Sequence, residues 1–251
     1  MTDQSSGWKP ADYQNLESIH TEACEDRRAG RYAEALAKRV WYHENAIESP
    51  VRLSFALGDW AELSQVYPPA LEKLIVIRDT AKEKLFNGND REESFHEFAS
   101  INQCLGDERL TAEMFLWLEI QDADLTRKCY PSAESALIRA GEYQLCGKYM
   151  DPHEAFQQRL HIFEHQKRLP DNPLYQKLRT ARPDLGPLVE KATKDSFTNS
   201  IATIVALLVL NDRKVEAQEI AGRAMTELND GNLDSTIASA LEGIFPPAYE
   251  K

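Results

Sequence analysis

The residues best suited to chemistry are His161-Ile162-Phe163-Glu164-His165. On a helix, side chains four apart share a face. His161 and His165 would then offer two imidazoles to one metal ion, with the Glu164 carboxylate beside them as a base. Zinc takes such donors, and a catalytic zinc keeps one position open for water. Glu242 falls at a sequence distance suited to a third ligand. The competing expectation is a solvated helix face ahead of a linker, with Ile162 and Phe163 making core contacts. Glu17-x-x-His20 is a forward Glu-x-x-His pair, but a di-iron centre in a helical bundle needs two that converge. His43-Glu44 does not open a His-Glu-x-x-His motif, because Ile47 stands where the second histidine belongs. No glycine-rich phosphate loop and no Gly-x-Ser-x-Gly elbow occurs.

The elements that must position these side chains read as helices throughout. No run of four to eight residues alternates as a strand would. Helices are expected over about Tyr13–Gly30 and Ala33–Ile47, with Ser49-Pro50 as a stop, then from Val51 and over Pro68–Asn87, closed by Gly88. Further helices are expected near Glu92–Leu105 and Arg109–Gln121, with residues 122–130 as a connection. SAESALIRAGEYQLCGKYM carries small or apolar residues at helical period from Ala133 to Gly147, and Asp151-Pro152 opens the next helix with Asp151 as cap. Four of the twelve prolines lie between Pro170 and Pro187 and mark a boundary. Beyond it come Leu188–Leu210, Val215–Leu228 and a capping helix Leu233–Ile244, ended by Pro246-Pro247. The expected organisation is a loose arm at 1–12, helical hairpins at 13–168, a proline-rich linker at 169–187, and a C-terminal hairpin with cap at 188–251.

One pattern recurs within the hairpins. Tyr32, Ala35 and Leu36 return 35 residues later as Tyr67, Ala70 and Leu71, and Lys38/Lys73, Val40/Ile75 and Ala46/Ala81 follow. A helix–turn–helix repeat of about 34 residues resembles the tetratricopeptide family. The matching residues are Gly30, Tyr32 and Ala35 in the first repeat, and Leu57, Gly58, Tyr67, Ala70 and Leu74 in the second. The resemblance is clear over residues 16–81 and departs at Thr111, which takes the place of a small alanine. It implies an all-α fold of antiparallel hairpins stacked as an irregular solenoid, with a C-terminal helical subdomain or cap. It also implies a protein or peptide bound on the concave face, against Glu17, His20, Arg27, Arg52, Phe55, Asp59 and Glu62. In overall look alone, the chain is similar to bacterial helical-repeat proteins, some of them toxin-neutralising partners. The His-x-x-Glu-His order is similar to that of inverted zinc peptidases, which need a large α/β domain that a wholly helical chain does not supply.

Bulk properties narrow the partner. Of 251 residues, 41 are acidic and 29 basic, a net charge of −12. No Lys/Arg cluster is present, so neither nucleic acid nor an anionic membrane is expected. A basic protein fits better, through complementary charge, and an inhibitor or immunity protein for a basic enzyme is the narrower form of that expectation. Acidity that serves only solubility is the plainer one. The most apolar stretch, Ile201–Leu210, has ten residues, against roughly 20 for a membrane span. It reads as a buried helix. The N-terminus lacks a basic start followed by an apolar run. Cys24, Cys104, Cys129 and Cys146 form no CxxC pair, which points to a reducing, cytoplasmic setting. The expectation is a non-catalytic, cofactor-free, monomeric binding module. The alternative is a metal-dependent hydrolase or small-ligand binder using His161, Glu164 and His165. RVWYHEN (Arg39–Asn45) packs aromatics and Arg together, types favoured as binding anchors; Trp41 or Tyr42 is expected in the core between repeats, and a partner surface is the alternative.

Overall fold

The computed structural model describes residues 8–10, 15–49 and 51–249. Most of the expected arm, Tyr13 and Pro50 therefore lie outside the described residues. Within them the chain is all-α, with no strand. The helices are α1 (Leu16–Arg28), α2 (Tyr32–Asn45), α3 (Phe55–Ser64), α4 (Pro68–Asn87), α5 (Arg91–Leu105), α6 (Glu108–Gln121) and α7 (Ala123–Ala140). They continue as α8 (Tyr143–Tyr149), α9 (Pro152–Lys167), α10 (Pro173–Ala181), α11 (Leu185–Leu210), α12 (Lys214–Glu227) and α13 (Gly231–Ala240). Contacts divide the chain into two compact units, 1–136 and 137–251.

In the first unit, α1 packs on α2 and α3, α3 on α4 and α5, and α5 on α6. The 35-residue offset has a direct geometric meaning here. Tyr32 and Tyr67 lie ring to ring, centroids 6.0 Å apart, and Ala35 and Ala70 are both fully buried in one cluster with Leu57, Trp60, Leu63, Leu74 and Ile101. Alanine at these positions lets neighbouring helices approach closely. The buried Trp60 indole donates to the Ala70 carbonyl at 3.1 Å, so its N–H is satisfied. Tyr42 is buried beside Ile19, Ala46 and Ala56, with Trp41 half-buried against them.

Helix ends follow the expected chemistry in most places. Asn15 accepts from the Ser18 N–H at 3.0 Å to cap α1, and Asp151 accepts from His153 and Glu154 at 2.9 Å to cap α9. Gly88 closes α4 at φ 81°.

Three expectations are corrected. Residues 122–130 are not a connection but carry the start of α7: Asp122 Oδ1 accepts from the Leu125 N–H at 3.0 Å, and Thr126, Cys129 and Tyr130 supply its buried face. Pro131 sits inside that helix. Its ring removes one N–H, which interrupts the helical signal in the sequence. Downstream, Ala133 to Gly147 is not one helix, because Gly141 at φ 81° separates α7 from α8. The proline-rich stretch 169–187 is itself partly helical, holding a 3-10 turn (Leu169–Asp171) and α10. Pro187 falls in the first turn of α11, where a missing N–H costs little.

In the second unit, α11 packs against α8, α9, α10, α12 and α13. Ile201 to Leu208 are accordingly buried without interruption. A helix apolar all round needs such a surround, which accounts for IATIVALLVL. Among the described residues, no helix is long and apolar enough to cross a membrane.

Candidate functional site

The facing helices of the first unit carry two polar clusters, both organised by a buried arginine. In the first, α1 places His20 and Cys24 one turn apart, and Asp59 of α3 lies opposite. Cys24 and Asp59 are themselves one repeat apart, and the thiol donates to Asp59 Oδ2 at 3.2 Å. Arg39 of α2, only 2% exposed, reaches in from behind. Its Nη1 donates to His20 Nδ1 at 2.8 Å, and its Nη2 to Cys24 Sγ at 3.0 Å and Asp59 Oδ2 at 3.3 Å. His20 Nε2 lies 3.3 Å from Asp59 Oδ2.

The electrostatics follow from burial and from this arginine. Burial, then the Arg39 charge, holds His20 below its ordinary value against the pull of Asp59. The ring is therefore neutral at pH 7, with Nδ1 accepting and its proton on Nε2. Burial foremost, assisted by the hydrogen bond to Asp59, raises the Cys24 thiol against the Arg39 charge. It stays protonated and is a poor nucleophile.

His20, Cys24 and Asp59 are also a nitrogen, sulfur and oxygen donor set, mutually within 4.8 Å. Such donors suit zinc, yet the fit is poor. Arg39 already supplies the cation, and an ion at Nε2 would move the imidazole proton to Nδ1, facing an arginine N–H. Arg39→Leu should free the three donors. In a cobalt(II) titration at neutral pH, the variant should develop thiolate-to-cobalt charge-transfer absorption and the parent should not. Equal absorption in both would show that Arg39 does not exclude the metal.

The second cluster joins α2, the entry to α3, and α5. Arg52, 4% exposed, donates to Glu97 Oε1 at 2.7 Å and to Glu93 Oε1 at 2.5 Å. Buried His43 places Nε2 2.9 Å from the same Glu97 oxygen, and its ring meets Trp60 edge-on at 5.9 Å. Burial pushes the Glu97 carboxyl up, but hydrogen bonds and charge from His43 and Arg52 outweigh it and hold it at about 2. A third group lies alongside: burial raises Asp26, and Lys38 and Arg31 at 2.8 Å overcome that and hold it low.

The sequence-predicted binding positions separate into two classes. Phe55 is 75% exposed, and Glu17 is exposed with no polar partner among the described residues. Glu62 is exposed but pairs with half-buried Arg27 at 2.6 Å. His20 and Asp59 are half-buried in the first cluster. Arg52 was expected among exposed positions; it is buried, because Glu93 and Glu97, one turn apart on α5, enclose its guanidinium. Sequence reasoning noted Arg39 and His43 only within the aromatic run Arg39–Asn45, assigned them no partners, and passed over Glu97. The available signal was the buried stripe Ala35, Arg39, Tyr42, His43 and Ala46, a helical period with two ionisable members.

In the second unit, His161 and His165 are exposed, and Glu164 pairs with Lys167 at 2.9 Å. Among the described residues, these side chains and Glu242 form no three-donor group. Phe163 does join the core, stacked on Phe197 at 4.4 Å, whereas Ile162, expected to do the same, is exposed. No protein-family model, curated protein or solved structure matches the chain.

Proposed function

We propose that the chain is a non-catalytic binding module, a tetratricopeptide-like stack in its first unit, that holds a basic protein or peptide on the face formed by α1 and α3. The observation that carries this reading is Phe55, an aromatic ring 75% exposed at the start of α3. The reactive groups around it are engaged with one another: the Cys24 thiol is protonated, and both buried arginines are matched by carboxylates. Aromatic side chains left exposed on a polar face are favoured as anchors, and the net charge of −12 favours encounter with a basic surface. An inhibitor or immunity role is the narrower form. No disulfide joins the four cysteines, as suits a reducing compartment such as the cytoplasm, and a monomer is the simplest working state.

The test is capture of partners on the immobilised chain at low salt and at ~0.5 M salt, where charge steering is screened, with a Phe55→Ala chain and, as the control at an exposed aromatic of α4, a Phe86→Ala chain in parallel. A single stoichiometric, basic protein that survives the salt and is lost only with Phe55→Ala is the expected result. Capture that ignores Phe55, or none at either salt, removes the proposal.

A further inference from the structure

The second unit contains a cavity of about 470 Å³ between the end of α9, α10, the start of α11 and Leu228. Its size falls within the range of small-molecule sites, roughly 300–1,000 Å³. Phe163, Tyr175, Val189 and Leu228 give it apolar walls. Three cationic side chains line it. Lys167 is held by Glu164 at 2.9 Å and Lys194 by Glu190 at 2.8 Å. Arg179 has neither a carboxylate nor a hydrogen-bond partner among the described residues. Its guanidinium lies across Gly186, where even a Cβ would come within 3.2 Å of Nε. The adjoining groove, about 760 Å³, is larger but lacks such a free cation: Lys191 pairs with Asp195, and Lys194 again with Glu190.

We propose that this cavity binds a small apolar monocarboxylate, its hydrocarbon against Phe163, Tyr175 and Leu228 and its carboxylate on Arg179. A planar guanidinium presents paired donors that match a carboxylate, and Gly186 leaves the room for that geometry. Glu227, also on the wall, opposes the anion and weakens binding.

The probes are decanoate and decan-1-ol, each competing with 8-anilinonaphthalene-1-sulfonate fluorescence, with decanoate kept below micelle formation. Decanoate should displace the dye and bind ~10-fold more tightly than the alcohol, the lower end of what a hydrogen bond to a charged group contributes, as suits the exposed Arg179. Arg179→Gln should erase that difference by weakening decanoate alone, and Glu227→Gln should tighten decanoate. Gly186→Leu should weaken both probes, while leaving the helical circular dichroism of the parent. Equal affinity for acid and alcohol, or an Arg179→Gln chain that binds decanoate as the parent does, overturns the proposal. So does failure of decanoate to displace the dye.

Discussion

Glu97→Ala is expected to lower the unfolding free energy of the first unit by about 3–5 kcal/mol at neutral pH, the range found when one member of a buried ion pair is removed. Arg52 would keep its charge, at 4% exposure, with only the more exposed Glu93 to answer it. His43 would lose its acceptor as well. Glu97→Gln retains shape and one acceptor and should cost less.

The pH dependence carries a sign. Glu97 titrates at about 2 in the fold instead of its ordinary 4.5. A depressed carboxyl contributes stability that is full above the unfolded value and is lost as pH falls through the folded one. The gap corresponds to about 3 kcal/mol. Denaturant titrations followed by circular dichroism at several pH values between 5 and 2 should therefore show the parent losing stability faster than Glu97→Gln. Asp26 contributes a decline of the same sign to both chains, so the difference between them isolates Glu97. Parallel curves would mean that the cluster does not set this carboxyl.

Gly147→Ala should destabilise the second unit by about 1–3 kcal/mol, although alanine is the better helix former by ~1 kcal/mol. An added Cβ would stand 2.2 Å from Asn211 Cγ, closer than any real contact. The Asn211 amide would have to leave, breaking its bonds to the Tyr143 carbonyl at 2.9 Å and the Leu207 carbonyl at 2.8 Å. Each is worth about 1 kcal/mol, and the overlap adds an overpacking cost. In an Asn211→Ala background the obstacle is gone, and the same substitution should become neutral or stabilising. A double-mutant cycle reads that reversal directly, and additive effects would remove the steric explanation.

What the sequence could and could not show follows from which interactions are local. Helices announced themselves through apolar period and glycine stops, and the Tyr32/Tyr67 offset reported a tertiary neighbour because a repeat turns sequence distance into spatial order. Asp122 as a cap was local too, but Pro131 masked the helix it begins. The polar clusters are different in kind. Nothing near Arg52 names its acceptors, which come from α5, and nothing in His43-Glu44 points to Glu97. The cavity beside Arg179 was equally hidden, since it depends on α10 folding within a segment whose prolines read as a linker.

The reach of Arg52 bears on how the chain matures during synthesis. Its acceptors follow it by 41 and 45 residues. While the nascent chain emerges, α1 to α4 can collapse around Trp60, but Arg52 has no carboxylate to enter with until Glu93 and Glu97 are free of the ribosome. The start of α3 is therefore expected to stay open to water and to close when α5 arrives. A chain stalled before Glu93 should be cut by protease around Arg52, and one stalled well beyond α5 should resist.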